Sequence, residues 1–252
     1  MERNLKSSLK LISIALVIVS CIPADKQDKH HKCQMVVILD KTNSVNFNSR
    51  LPMLESELAR NFKIVYQSAL QDIQFSKLKI VGDTRVFPDI DRFGKNCLYP
   101  HPDSRSEELE FQNWQADKKL WIMKELKQTM QLIKDSCKSN TTDIFGIFDG
   151  IQQVQQNNGP WDSITVLIFS DMINTTNIIN MKRGMNINNA FSKGKSICQS
   201  LLRNGQLTLG HTGNLYMTIY TPDNMGQTGE VHLFWKGFFE QWGLRDDHYN
   251  FQ

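Results

Sequence analysis

The sequence predicts an α/β protein with a doubly wound, mostly parallel sheet of six strands and helices on both faces. Three observations carry this. The runs Met35-Val36-Val37-Ile38-Leu39 and Ile164-Thr165-Val166-Leu167-Ile168-Phe169 are almost unbroken, which fits strands covered on both sides rather than strands with one wet face. Between such runs, apolar residues recur at helical spacing. The two patterns alternate along the chain, the order that builds a parallel sheet with crossover helices.

Taken in order, Gln34–Leu39 is the first strand. Leu51, Leu54, Leu58, Phe62 and Val65 mark one face of a helix, and Phe75 to Val81 is a second strand closed by Gly82-Asp83. Residues 86–104 carry Pro88, Pro100 and Pro102 and read as a short strand followed by an irregular insertion. Trp114, Leu120, Trp121, Met123, Leu126, Met130 and Ile133 mark a long helix ending near Cys137, and Ile144 to Val154 a shorter one. After the strand Ile164–Phe169, a helix through Phe191, Ile197, Leu201 and Leu202 stops near Asn204-Gly205. Leu215–Tyr220 is a strand. Val231, Phe234, Trp235, Phe238, Phe239 and Trp242 then form an aromatic helical stripe ended by Gly243, expected to pack on the sheet.

The first twenty residues read as a signal peptide. Arg3, Lys6 and Lys10 precede the apolar stretch Leu11 to Val19, which is about half the roughly 20 residues that span a bilayer. Ile18-Val19-Ser20-Cys21 resembles the lipobox of bacterial lipoproteins. That resemblance implies cleavage before Cys21, lipidation of Cys21, and a membrane-anchored protein of the bacterial cell envelope. Ile22, where many enterobacterial lipoproteins retained in the inner membrane have aspartate, points to the outer membrane. Residues 21–33 are a polar tether, and residues 34–252 form the domain. Without residues 1–20 the net charge falls from +3 to +1, which removes any global case for nucleic-acid binding. Cys33, Cys97, Cys137 and Cys198 permit two disulfides in an exported protein; buried free thiols are the alternative.

The chemistry sits at strand ends. Asp40, Thr42 and Ser44 lie at alternate positions just past the first strand, Asp171 ends Ile164–Ser170, and Thr142 opens a segment between them. Oxygen donors of this kind suit hard divalent cations, and the C-terminal ends of two buried strands are where an open α/β sheet places its ligand. With few carboxylates the ion is incompletely neutralised, so an incoming carboxylate is favoured.

The DxTxS loop, the middle threonine and the later aspartate resemble the metal-ion-dependent adhesion site of von Willebrand factor A domains, over about residues 34–243. The resemblance implies Asp40, Thr42, Ser44, Thr142 and Asp171 as the metal set. Mg2+ is the expected cation, with Mn2+ or Ca2+ as alternatives. The expected partner is a protein that supplies an acidic side chain. Thr141 is an alternative to Thr142, and Met172 stands where many members have glycine.

Two other readings stay open. Asp40-Lys41-Thr42 resembles the nucleophile loop of haloacid-dehalogenase-type phosphotransferases, which implies Asp40 as the nucleophile that attacks phosphorus. Those soluble enzymes want a second aspartate where Thr42 stands, so the expectation is a binding protein and not an enzyme. The fold could also serve as a metal-free scaffold in an envelope assembly. Gly194-Lys195-Ser196 lacks the earlier glycine of a phosphate loop, and Ser170 lacks the glycines of a nucleophile elbow.

Overall fold

The computed structural model describes residues 33–252 except 41, 43–44, 46, 48–49, 68–72, 82–83, 86–88, 94–104, 135–141, 157–160, 182–184, 210–211 and 223–227. These residues all belong to the unit His31–Gln252. The expected signal peptide, most of the expected tether, Cys21, Ser44, Thr141, Cys97 and Cys137 lie outside them.

The strands are β1 (Cys33–Asp40), β2 (Ile73–Val81), β3 (Thr84–Arg85), β4 (Asp89–Phe93), β5 (Ser163–Phe169), β6 (Leu215–Tyr220) and β7 (Tyr249–Phe251). The helices are α1 (Leu51–Gln67), α2 (Arg105–Lys134), α3 (Phe145–Gln156), α4 (Ile187–Arg203) and α5 (Thr228–Trp242). Among the described residues the sheet therefore has seven strands, not the six expected. Two of the seven are pieces too short to show a period, and no run in the sequence marks them: β3 is a two-residue return beside β2, and β7 is a three-residue strand after the closing helix.

The sheet order is β3-β2-β1-β5-β6-β7, with β4 also paired to β2. β2, β1, β5, β6 and β7 run parallel, while β3 and β4 return antiparallel along β2. From β1 the chain crosses through α1 to β2 on one side. It later re-enters on the other side of β1 as β5. The loops leaving β1 and β5 thus diverge, and a crevice opens between them.

Alternation along β1 divides its side chains between two cores. Met35, Val37 and Leu39 join Leu54, Leu58 and Phe62 of α1 and Met130 of α2. Val36 and Ile38 join Phe145, Ile147, Phe148 and Ile151 of α3, together with residues of α4 and α5. That explains the unbroken apolar run: both faces of the strand are covered.

The aromatic stripe of α5 is buried as the sequence implied. Val231, Phe234, Trp235, Phe238 and Phe239 have no exposed surface. Burial of such side chains contributes roughly 1.5–3 kcal/mol each. Phe148 meets Trp235, Phe238, Phe239 and Trp242 at ring-centroid distances of 5.1–5.9 Å. Outside this layer α4 lies against α5 at the closest approach that backbones allow, with Gly194 against Phe234 and Gly237 against Phe191.

Both helices end where glycine takes a left-handed turn, Gly205 at φ +67° and Gly243 at φ +87°. After Gly205, Gln206 N–H donates to Leu201 O at 2.9 Å; after Gly243, Leu244 N–H donates to Phe239 O at 2.9 Å. Cys198 of α4 is a buried free thiol, the alternative that the sequence left open for its cysteines. Burial pushes that thiol up to about 12, away from reactivity.

Candidate functional site

Asp40 is the last residue of β1, and Ser170-Asp171 continue directly from β5. The ladder ends at the pair Leu39 and Phe169, so Asp40 and Ser170 come next to each other across the crevice. Ser170 Oγ donates to Asp40 Oδ2 at 2.7 Å. The other oxygen, Oδ1, accepts the backbone N–H of Thr42 at 3.0 Å, an Asx-type turn that bends the chain off the strand. Thr42 O then accepts from Val45 N–H at 3.1 Å. Asp40 and Thr42 are both buried.

Asp171 stands beside Asp40 and is buried as well; its Oδ1 accepts Ile173 N–H at 2.9 Å. Burial pushes the Asp40 carboxyl up to about 6. The Ser170 hydrogen bond opposes this, the charge of Asp171 adds to it, and the bonds from Thr42 work against it. Two buried carboxylates therefore lie within electrostatic reach of each other, which disfavours ionisation of Asp40.

The third loop is fastened to the second. Thr142 N–H donates to Thr175 Oγ1 at 2.7 Å, and Thr175 N–H returns to Thr142 O at 3.0 Å. Asn174, fully buried, accepts Ile144 N–H on Oδ1 at 3.0 Å and donates through Nδ2 to Thr176 Oγ1 and Ile179 O, each at 2.8 Å. Thr142 is thus fixed at the start of α3, close in the fold to the loop that carries Asp171. The structure brings Asp40, Thr42 and Asp171 together at the ends of β1 and β5, and ties Thr142 to Thr175, four residues beyond Asp171.

Met172, where glycine was the familiar residue, adopts φ +56° and is the only non-glycine residue among those described with positive φ. Its left-handed turn is held from both ends. Met172 N–H donates to Ser170 Oγ at 2.9 Å, and Trp235 Nε1 donates to Met172 O at 2.8 Å. Its side chain is buried in the aromatic core, and that burial offsets the strain a non-glycine residue carries there. Sequence reasoning missed Ser170, Asn174 and Thr175. The signal that could have found Ser170 was its place opposite Asp40 at the end of an adjacent parallel strand.

The donor set fits a hard divalent cation. A positive charge between Asp40 and Asp171 would reverse the electrostatic cost of holding both ionised, and threonine hydroxyls are suitable oxygen ligands. Among the described residues no group of three or more His, Cys, Asp or Glu side chains is placed to hold a metal, so softer sites have no counterpart there. Nor is any described helix long and apolar enough to cross a membrane.

No family model and no curated protein matches the chain. Among solved structures it is similar to the manganese-loaded TRAP protein of Plasmodium vivax. The TM-score is 0.42, with 11% identity, over 88% of this chain and 69% of that one. It is also similar to the human COPII-coat protein Sec24c, with TM-score 0.41 and 10% identity, over 83% of this chain. The chain spans only 29% of Sec24c. Both likenesses are loose, and the strand order and register stand without them.

Proposed function

We propose that the protein is a von Willebrand factor A-like recognition domain that binds an acidic group of a partner protein through a divalent cation. Asp40, Thr42, Thr142 and Asp171 would hold the cation, with Ser44 completing the loop after β1. The observation that carries this reading is the pair of buried carboxylates, Asp40 and Asp171, at the diverging ends of β1 and β5. The parallel core β2-β1-β5-β6, with its antiparallel return along β2, agrees with it. The cation, Mg2+ first and Mn2+ or Ca2+ next, would supply the positive charge to which the partner's carboxylate binds. This chain's residues orient the oxygens and keep the crevice dry. The role is binding rather than catalysis.

The site is proposed to work at the bacterial cell envelope, on the outer membrane, anchored through lipidated Cys21. The mass of the mature N-terminus and the membrane fraction that carries the protein test that placement.

The site itself is tested by thermal unfolding of wild type and Asp40→Ala with added Mg2+ or Mn2+. A cation at about 100 times its Kd stabilises by about 2.7 kcal/mol. Wild type is expected to gain this and the variant none; an equal gain in both overturns the assignment. A pull-down from membranes with and without chelator then separates metal-bridged binding from use of the fold as a scaffold.

A further inference from the structure

Resting on the cation site proposed above, we propose that Ser170 is a positioning residue that fixes the Asp40 carboxylate and turns the chain so that Asp171 stands beside it. Ser170 has no exposed surface, and its N–H and hydroxyl are both engaged. Its N–H donates to Tyr220 O at 3.1 Å, which continues the β5–β6 ladder one residue beyond the strand. Its Oγ accepts Met172 N–H at 2.9 Å and donates to Asp40 Oδ2 at 2.7 Å.

The direction of these bonds is forced. A backbone N–H can only donate, and an ionised carboxylate can only accept, so the single hydroxyl proton must point at Asp40. One side chain thereby sets two things at once. It locks the plane of the Asp40 carboxylate, already held on Oδ1 by Thr42 N–H. It also anchors the N–H side of the left-handed turn at Met172, directly after Asp171. Alanine at 170 keeps the backbone bond and loses both others. Partners that orient metal ligands in this way typically change affinity 10–100-fold when removed.

The experiment measures Mn2+ affinity of the full chain in detergent, counting free Mn2+ by electron paramagnetic resonance, for wild type and three variants. Ser170→Thr and Ser170→Val match each other in shape and differ only in the hydroxyl, so any cost of added bulk is common to both. Ser170→Ala adds no bulk. Wild type and Ser170→Thr are expected to bind alike, with Ser170→Ala and Ser170→Val weakened 10–100-fold. If Ser170→Val matches Ser170→Thr, or Ser170→Ala matches wild type, the positioning role is overturned while the cation site stands. Failure of wild type to bind Mn2+ removes the cation site itself, and Ser170's role with it.

Discussion

Replacing Gly237 by alanine places a methyl group where there is no room for one. The added Cβ would lie 2.1 Å from Phe191 O, 2.9 Å from its carbonyl carbon and 3.2 Å from its Cα. All three are backbone atoms, so no rotamer change relieves the contact. Restoring ordinary separation needs α5 and α4 to part by about 1 Å or more. α5 cannot move outward without lifting Trp235, Phe238 and Phe239 from the core they fill.

Overpacking of this kind costs about 1–3 kcal/mol and sometimes more, while the better helix propensity of alanine returns only about 1 kcal/mol. A backbone-on-backbone clash belongs at the upper end, so the expected net loss is about 2 kcal/mol. For a domain of this size that lowers Tm by roughly 4–8 °C. Urea unfolding followed by circular dichroism measures it, with Gly229→Ala on the same helix as control. The Cβ there meets only Ile187 Cδ1 at 3.7 Å, an ordinary contact, and the variant should be neutral or slightly stabilised. If Gly237→Ala keeps the wild-type midpoint, the helices are not interlocked at this point and the packing argument fails.

Two further outcomes follow from the crevice. In chelator, the Asp40 carboxyl titrates at 3.8 unfolded and about 6 folded, so its protonated form favours the fold. That contribution, about 3 kcal/mol in order of magnitude, is complete below pH 3.8 and is lost as pH rises through 6. Asp40→Asn should flatten this slope in urea midpoints between pH 4 and 7; coincident slopes for the two proteins would contradict the burial argument. Asn174→Ala removes the acceptor for Ile144 N–H and the donor to Ile179 O, with an expected loss of about 3 kcal/mol. A change under about 0.5 kcal/mol in the same assay would mean the two loops are not tied through this side chain.

Most of the fold was legible because its elements are long enough to show their period. β1 and β5 announced themselves as unbroken apolar runs, and α5 as six apolar residues on one face. The short pieces had no such signal: three residues of β7 and two of β3 cannot display an alternation. For the site, the sequence pointed to Asp40 and Asp171 because each ends a run, and these are the carboxylates that the structure places together. Ser170 was weighed only as a nucleophile and set aside, since a bond across 130 residues leaves no local pattern. Met172 looked like a departure from a glycine position. The backbone turns left-handed there all the same, because Ser170, Trp235 and the buried side chain hold it.

β7 has a consequence for self-association. β6 presents Leu215-Tyr216-Met217-Thr218-Ile219-Tyr220, a six-residue segment rich in β-formers with no charge. β7 covers its outer rim from Met217 to Ile219, and Gln252 extends the cover by donating to Ile219 O and accepting from Thr221 N–H, both at 2.8 Å. Without those last residues, β6 would offer open donors and acceptors to any extended chain, including another copy of itself. The tail after the closing helix thus acts as a guard against strand-to-strand aggregation, and a truncation at Gly243 should remain folded in outline but lose solubility.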